Sequence, residues 1–161
     1  MAGDMFLMVE GIKGESVDET HKDEIDVLSW SWGVSQSGTT HMGKGGGSGK
    51  SSVADLTVTK WLEKSSPILF KYCCQGTHIP KCVLTLRKAG GSKPVEYYKL
   101  TMEDVLITSI TSGGAGGEDR LSETISLNFA RFSVEYVPQK EDGSGDAAIK
   151  AGYNIAENKE M

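Results

Sequence analysis

Hydrophobic and polar residues alternate along several stretches of the chain, as they do in β-strands with one face in a core. The clearest stretch covers residues 26–37, where apolar residues take the even positions and small or polar residues the odd ones. The apolar set is Leu28, Trp30, Trp32 and Val34, and the other set is Ser29, Ser31, Gly33, Ser35 and Ser37. We therefore expect a half-buried strand whose serines project from the face opposite the core.

Further strands are predicted over residues 5–9, 53–62, 82–87, 95–110 and 121–136. Within 53–62 the expected core residues are Ala54, Leu56, Val58 and Leu62. In the last stretch one face carries Leu121, Ile125, Leu127 and Phe129, whereas Phe132, Val134 and Tyr136 have the opposite parity. Because one extra residue shifts every later side chain to the other face, this change predicts a bulge near residues 130–131.

One helix is predicted over residues 67–75, with an apolar stripe on one face. Ser66 is expected to cap its start, Pro67 suits its first position and Gly76 suits the residue after its end. The stripe consists of Ile68, Leu69, Tyr72 and Cys73. One short helix among five or six strands predicts an all-β fold, a closed or nearly closed barrel whose opening the helix covers.

The 161 residues are expected to form a single domain, residues 1–161. A Gly-rich segment at 38–52 predicts a long loop with little to bury. The segment 138–161 is polar, with Tyr153 and Ile155 as its larger apolar groups, and predicts a loosely held tail.

A formal net charge of -5 disfavours nucleic-acid binding. No apolar run approaches the roughly 18 residues that a membrane span requires, and the first residues lack the features of a signal peptide. We therefore expect a protein that folds in the cytoplasm and, if exported, leaves without a cleaved signal. Three cysteines do not predict a disulfide framework.

Two motifs suggest binding chemistry but are incomplete. Residues 49–51, Gly-Lys-Ser, resemble the end of a phosphate-binding loop, but Lys44 stands where that motif needs a glycine. Cys73, His78 and Cys82 could hold zinc, yet a structural zinc site has four ligands and no convincing fourth lies nearby. The histidines lack a triad pattern, and the acidic pairs at 103–104 and 118–119 are typical of solvated turns. We expect neither a cofactor nor an enzyme.

Several blocks of the sequence resemble the Hcp family, the haemolysin-coregulated proteins of type VI secretion. The first block is 6–16, followed by Asp18, His21, 24–27, 31–33 and 35–38. The later blocks are 86–91, 116–123, 127–130 and 136–139. They occur in the family's order and spacing over nearly the whole chain.

The resemblance implies a double-sheet β-barrel with one helix, similar to phage tail-tube proteins. It also implies a hexameric ring that stacks into the inner tube of the secretion system and is itself exported. Partners would be further copies of the chain, small effector proteins carried or protected in the ring lumen, and sheath and spike proteins of the apparatus.

The resemblance also implies roles for particular residues. Ser31, with Ser29 and Ser35 as weaker candidates, would face the lumen and touch cargo. The 38–52 loop would connect stacked rings and become ordered on stacking. Its candidate contact residues are His41, Met42, Gly43, Lys44, Gly45, Gly46 and Gly47.

Two other functions compete with the tube. A monomeric barrel that binds a ligand such as a carbohydrate or a lipid would need a cavity, whereas large residues are available to fill a small barrel. These are Trp30, Trp32, Leu56, Leu84 and Phe129. The second competitor is a hydrolase of unrecognised type. Sizing separates them, since only the tube requires a closed oligomer.

Overall fold

In the computed structural model, which describes residues 3–38 and 51–161, the chain forms ten strands and one helix within those ranges. The first five strands are β1 (Asp4–Val9), β2 (Ile25–Ser31), β3 (Val34–Ser35), β4 (Ser52–Val53) and β5 (Leu56–Trp61). Helix α1 (Ser66–Gln75) follows. The others are β6 (Ile79–Lys88), β7 (Val95–Gly113), β8 (Ser122–Tyr136), β9 (Ile149–Asn154) and β10 (Lys159–Glu160).

Six of these strands close a barrel. Their order is β8-β5-β2-β1-β6-β7, and β7 pairs with β8 to complete the circle. β9 and β10 extend the sheet outward from β8, while β3 and β4 form a separate two-stranded sheet. The expected all-β barrel with one short helix is confirmed.

The two longest strands divide the barrel into two sheets. The four-stranded sheet contains β2, β5, the first half of β8 and the second half of β7. The six-stranded sheet contains β1, β6, the first half of β7, the second half of β8, β9 and β10. We use these two names below.

Apolar side chains fill the space between the two sheets. Those with no exposed surface include Leu7, Leu56, Val58, Leu69, Cys82, Leu84, Leu100, Met102, Val105, Ile125 and Leu127. Trp30 and Trp32 are half-buried and pack against this core. Removal of this area from water, at roughly 25 cal/mol per Å² of apolar surface, provides the main favourable contribution to folding.

The helix differs from expectation at its start and agrees at its end. It begins at Ser66, and Ser65 occupies the N-cap position without a side-chain hydrogen bond. The Ser66 hydroxyl does not cap the helix, because it accepts hydrogen bonds from the Glu63 amide and the Lys60 ammonium. Gly76 ends the helix with φ +64°, the left-handed conformation that glycine adopts without strain. Of the predicted stripe, Leu69 is fully buried and Ile68 is exposed.

The alternation predicted for residues 26–37 is wrong at both ends. Val27 is buried and Leu28 is exposed, because the pairing of β2 with β5 shifts between Val27 and Ser29. Val34 is also exposed, since it belongs to the small β3-β4 sheet outside the barrel. Four other expected core residues lie at or next to strand ends and are exposed as well: Ala54, Leu62, Leu121 and Tyr136.

The bulge expected near residues 130–131 is absent from β8. Phe129 pairs with Val105 and Arg131 with Glu103, so both strands advance by the same number of residues. The core-facing side chains switch between odd and even positions at the same level in both strands. At that level β7 contains Asp104, whose φ is +55°. The observed register shift lies instead in β7, between Ile107 and Ser109.

The tail from 138 to 161 is not loosely held, contrary to the sequence-based expectation. Its β9 pairs with the second half of β8 along its full length, and β10 folds back on β9. Ile155 packs against the core, and its amide donates to the carbonyl oxygen of Ala130 at 2.8 Å. Backbone pairing therefore orders a segment that offers few apolar side chains.

Candidate functional site

Ser29 and Ser31 lie on the exposed face of the four-stranded sheet. Both belong to β2, where Ser29 pairs with Thr59 and Ser31 with Thr57 of β5. Trp30 between them packs against the core. Successive side chains of a strand project to opposite faces, so the two serines point away from the barrel interior.

Two rows of hydroxyl side chains continue from these serines across the sheet. The first row is Ser29, Thr59, Thr124 and Thr111. The second row is Ser31, Thr57, Ser126 and Ser109. Directly paired residues share a face, and the Thr59 and Thr124 hydroxyl oxygens are 3.4 Å apart. Each row therefore crosses all four strands.

Polar groups also border these rows at one end, and an aromatic ring lies at the other. Asp55 accepts hydrogen bonds on both carboxylate oxygens, from the Thr108 hydroxyl at 2.6 Å and the Asn128 amide at 2.9 Å. At the opposite end Trp61 pairs with Ser122, and the Arg120 guanidinium stacks on the Trp61 ring at 4.4 Å. We call this surface the hydroxyl face. It comprises Ser29, Ser31, Asp55, Thr57, Thr59, Trp61, Thr108, Ser109, Thr111, Gly113, Ser122, Thr124, Ser126 and Asn128.

Ser35 does not belong to the hydroxyl face. It lies in β3 and pairs with Ser52 of β4 in the separate two-stranded sheet. That sheet leads into the Gly-rich loop. Two hydrogen bonds fix the base of the sheet: the Ala54 amide donates to the Gly33 carbonyl oxygen, and the Ala54 carbonyl oxygen accepts from the Trp32 indole. The loop candidates lie outside the described residues. They are His41, Met42, Gly43, Lys44, Gly45, Gly46 and Gly47.

A charged cluster around Arg87 ties the loop after β1 to the six-stranded sheet. The Arg87 guanidinium donates to Asp18 at 2.6 and 2.9 Å and to Asp4 at 2.9 Å. These hydrogen bonds hold the pKa of the Asp18 carboxyl well below its usual range. Arg87 also lies over the Phe6 ring, which stacks on His21. All these contacts serve to anchor the loop.

His21 lies between two carboxylates in the same region. Its Nδ1 is 3.0 Å from Glu24 and its Nε2 is 2.6 Å from Glu96. These contacts of the His21 ring join the loop to β7.

A second charged pair lies inside the barrel. Lys60 and Glu123 face one another across β5 and β8, and neither side chain has exposed surface. The ammonium is 3.1 Å from Glu123 Oε2 and also donates to the carbonyl of Trp61 and the hydroxyl of Ser66. Sequence analysis missed this pair, although both residues stand at core-facing positions of their strands. It connects the start of α1 to the four-stranded sheet.

The cysteines do not form the zinc site considered above. Cys82 is fully buried, and burial raises the pKa of its thiol to about 12. Cys73 is half-buried on α1, while His78 is exposed and contacts Asp104 at 2.7 Å. In the described ranges no three His, Cys, Asp or Glu side chains cluster as metal ligands, and no helix there is long and apolar enough to span a membrane.

The four-stranded sheet has unpaired strand edges on opposite sides. Residues 27–31 of β2 pair with β5 but, within the described chain, with no strand on their other side. Among the described residues, 106–113 of β7 pair with β8 only, since β6 pairs with β7 no further than Val105. An exposed strand edge carries free N–H and C=O groups that can pair with another chain.

Comparison with known proteins identifies a family. Residues 6–136 match the family model described as "Type VI secretion system effector, Hcp". The chain is 54% identical over 159 residues to protein hcp1 of Pseudomonas aeruginosa, covering 98% of each chain.

Solved structures agree with this match. Hcp1 from Salmonella typhimurium superposes with a TM-score of 0.82 at 41% identity and is covered completely, as is this chain. A structure described as a type six secretion system protein superposes with a TM-score of 0.91 at 31% identity, covering 99% of this chain and 100% of that one.

Proposed function

Because the chain belongs to the Hcp family of type VI secretion proteins, we propose that it forms hexameric rings that stack into the inner tube of the secretion system. Small effector proteins would travel in the ring lumen. Hcp proteins are secreted tube proteins and not enzymes. In this proposal the chain assembles in the cytoplasm and is then secreted without a cleaved signal, and its partners are its own copies, effectors, sheath and spike proteins.

The observation that carries this proposal is the pair of unpaired edges on the four-stranded sheet. One edge belongs to β2 and the other to β7, so the two surfaces are different. Contact between unlike surfaces of identical subunits is head-to-tail, and it generates a closed ring when the rotation between subunits closes. Edge-to-edge pairing would join the four-stranded sheets of all subunits into one continuous wall.

The hydroxyl face would then form the inner surface of that wall. Its side chains are short, so they leave the lumen open, and Ser31 with Ser29 would contact cargo. Ser35 lies off this face, on the β3-β4 sheet, and we retain it only as a contact near the base of the loop. The 38–52 loop would reach the adjacent ring.

The monomeric ligand-binding barrel receives less support. Side chains without exposed surface, such as Leu7, Leu56 and Leu84, occupy the barrel interior where a ligand chamber would have to lie. Family membership points the same way, since it implies self-assembly.

Purified protein at micromolar concentration is expected to form rings without any cofactor. Light scattering should give a mass of about six times the 17.3 kDa of one chain, and electron microscopy should show rings with a central hole. A monodisperse monomer under these conditions would exclude the proposal.

Shortening the loop by deletion of residues 43–49 is expected to leave rings intact and to prevent their stacking into tubes. Ordering such a glycine-rich segment costs on the order of 1 kcal/mol per residue, so each contact between rings is weak and gains strength by repetition around the ring. Electron microscopy and a secretion assay measure the outcome. Normal tubes together with normal secretion would eliminate the role of this loop in stacking.

A further inference from the structure

We propose that the hydroxyl face holds cargo through hydrogen bonds to uncharged polar groups, so that the ring accepts cargo proteins of either surface charge. The inference rests on the proposed function, since it requires this face to line the lumen. It adds to that function the chemistry by which cargo is recognised.

The hydroxyl groups of the two rows are available for such bonds. Within the described part of the chain, the contact between Thr59 and Thr124 at 3.4 Å is the only side-chain hydrogen bond made inside the rows. That distance is long for a hydroxyl pair, whose usual separation is about 2.7–2.8 Å. A hydroxyl can donate one hydrogen bond and accept two, and its proton rotates to suit the partner. These groups can therefore bond to carbonyl, amide and hydroxyl groups alike.

The spacing of the rows suits a polypeptide surface. Neighbouring strands lie about 4.8 Å apart, so a row across four strands spans roughly 14 Å, and the two rows are separated by about 7 Å. Strands on the surface of a cargo protein have the same spacings. Each subunit thus presents a small grid of hydroxyls, which the ring would repeat.

The hydroxyl face is almost free of charge, although 24% of the residues in the chain are charged. Its charged member is Asp55, and both oxygens of that carboxylate already accept hydrogen bonds from Thr108 and Asn128. Two charged residues of opposite sign lie at the border: Arg120, which stacks on Trp61, and Glu118, which lines a surface depression together with Thr111 and Thr124. A face with so few charges, of balanced sign at its border, exerts little net attraction or repulsion on cargo of a particular sign.

The outward face of the six-stranded sheet has the opposite character. Its paired positions alternate in charge, in a ladder formed by Lys81, Glu103, Arg131, Lys99, Glu135 and Lys150. The low density of charge is therefore specific to one face and is not a property of the whole surface. Because single hydrogen bonds to neutral groups contribute only about 0.5–1.5 kcal/mol net, retention depends on their repetition and remains reversible.

The test uses one small folded protein recharged to three net charges, about -8, 0 and +8, as the cargo probe. Each probe is co-expressed with the full chain, and the amount retained per ring is measured after purification. Retention of the three probes is expected to agree within about threefold and to change less than twofold between about 0.05 and 0.5 M salt, because the few charges at the face leave little net attraction or repulsion to be screened.

Introducing a charge into the grid should create the selectivity that the natural face lacks. Thr124→Glu is expected to favour the cationic probe over the anionic one by at least about tenfold, and Thr124→Lys to reverse that preference, with both effects lost at high salt. Thr101→Glu and Thr101→Lys are the matched controls, since Thr101 is half-buried like Thr124 but lies on the outward face of the six-stranded sheet. They should leave retention unchanged.

Light scattering on every sample distinguishes a failure of the proposed ring from a failure of the proposed cargo chemistry. A monomeric wild-type protein would contradict the proposed ring itself. An intact ring that retains none of the probes, or that prefers one sign more than about tenfold in a salt-sensitive manner, would overturn the cargo chemistry alone. If the Thr124 variants fail to fold, Ser126→Glu and Ser126→Lys on the second row repeat the test.

Discussion

Replacing Lys60 by methionine is expected to lower the free energy of unfolding by about 3–5 kcal/mol. The ammonium of Lys60 and the carboxylate of Glu123 are both fully buried, 3.1 Å apart. Methionine fills a similar volume but removes the positive charge, so the carboxylate is left in the core without an ionic partner. Glu123 Oε1 already lacks a hydrogen-bond partner among the described residues. For a chain of this length the melting temperature should fall by roughly 6–20 °C.

The double variant Lys60→Met/Glu123→Leu should recover most of this loss. Removing both charges removes the cost of burying them, and such exchanges are often neutral or stabilising by about 1–4 kcal/mol. Lys99→Met is the control for an exposed pair, because Lys99 is 40% exposed and 3.7 Å from Glu96. It should cost no more than about 1 kcal/mol.

Urea unfolding followed by circular dichroism measures these differences. All variants must be compared at one protein concentration, since assembly stabilises the folded chain by mass action. A loss below about 1 kcal/mol for Lys60→Met would show that the buried pair contributes little. A double variant less stable than Lys60→Met would contradict the assigned cost of the buried carboxylate.

The strand pattern of the fold could be predicted from the sequence because one face of each barrel strand is buried. Alternation located β5, β6, β7 and β8, and Gly76 marked the helix end through its left-handed conformation. The tail could not be predicted in this way. Its strand β9 is held by backbone pairing to β8, and backbone pairing leaves no hydrophobic pattern.

The candidate site was only partly predictable for a related reason. Ser29 and Ser31 could be assigned to one face of β2, but the rows that continue them depend on which residues of β5, β8 and β7 stand opposite. That register follows from shifts at Val27–Ser29 and Ile107–Ser109, which parity along a single strand does not determine. The buried pair left a clearer signal in the sequence than the rows did. Lys60 and Glu123 are residues of opposite charge that stand at positions where the alternation predicts apolar core residues.

Proline at one of two neighbouring positions of β7 is expected to abolish the ring while the subunit remains folded. Thr111 and Ser112 are both exposed and lie in the part of β7 that pairs with β8 only. Along an antiparallel strand the N–H groups of successive residues point to opposite neighbours. One of the two N–H groups therefore points to β8 and the other to the unpaired edge. Proline lacks this donor, so each substitution removes pairing on one side only.

The variants Thr111→Pro and Ser112→Pro thus serve as controls for each other. The one that loses its outward donor should keep a melting temperature near that of the natural subunit and elute as a monomer, whereas the other should melt at a clearly lower temperature because it loses a ladder hydrogen bond to β8. Ala151→Pro, on β9 in the six-stranded sheet, lies outside the proposed contact and should not prevent ring formation through the four-stranded sheet. Light scattering gives the oligomeric state and circular dichroism the melting temperature. If a folded Thr111 or Ser112 variant remains fully hexameric whichever donor is removed, the β7 edge does not join subunits, and the ring must close through another surface.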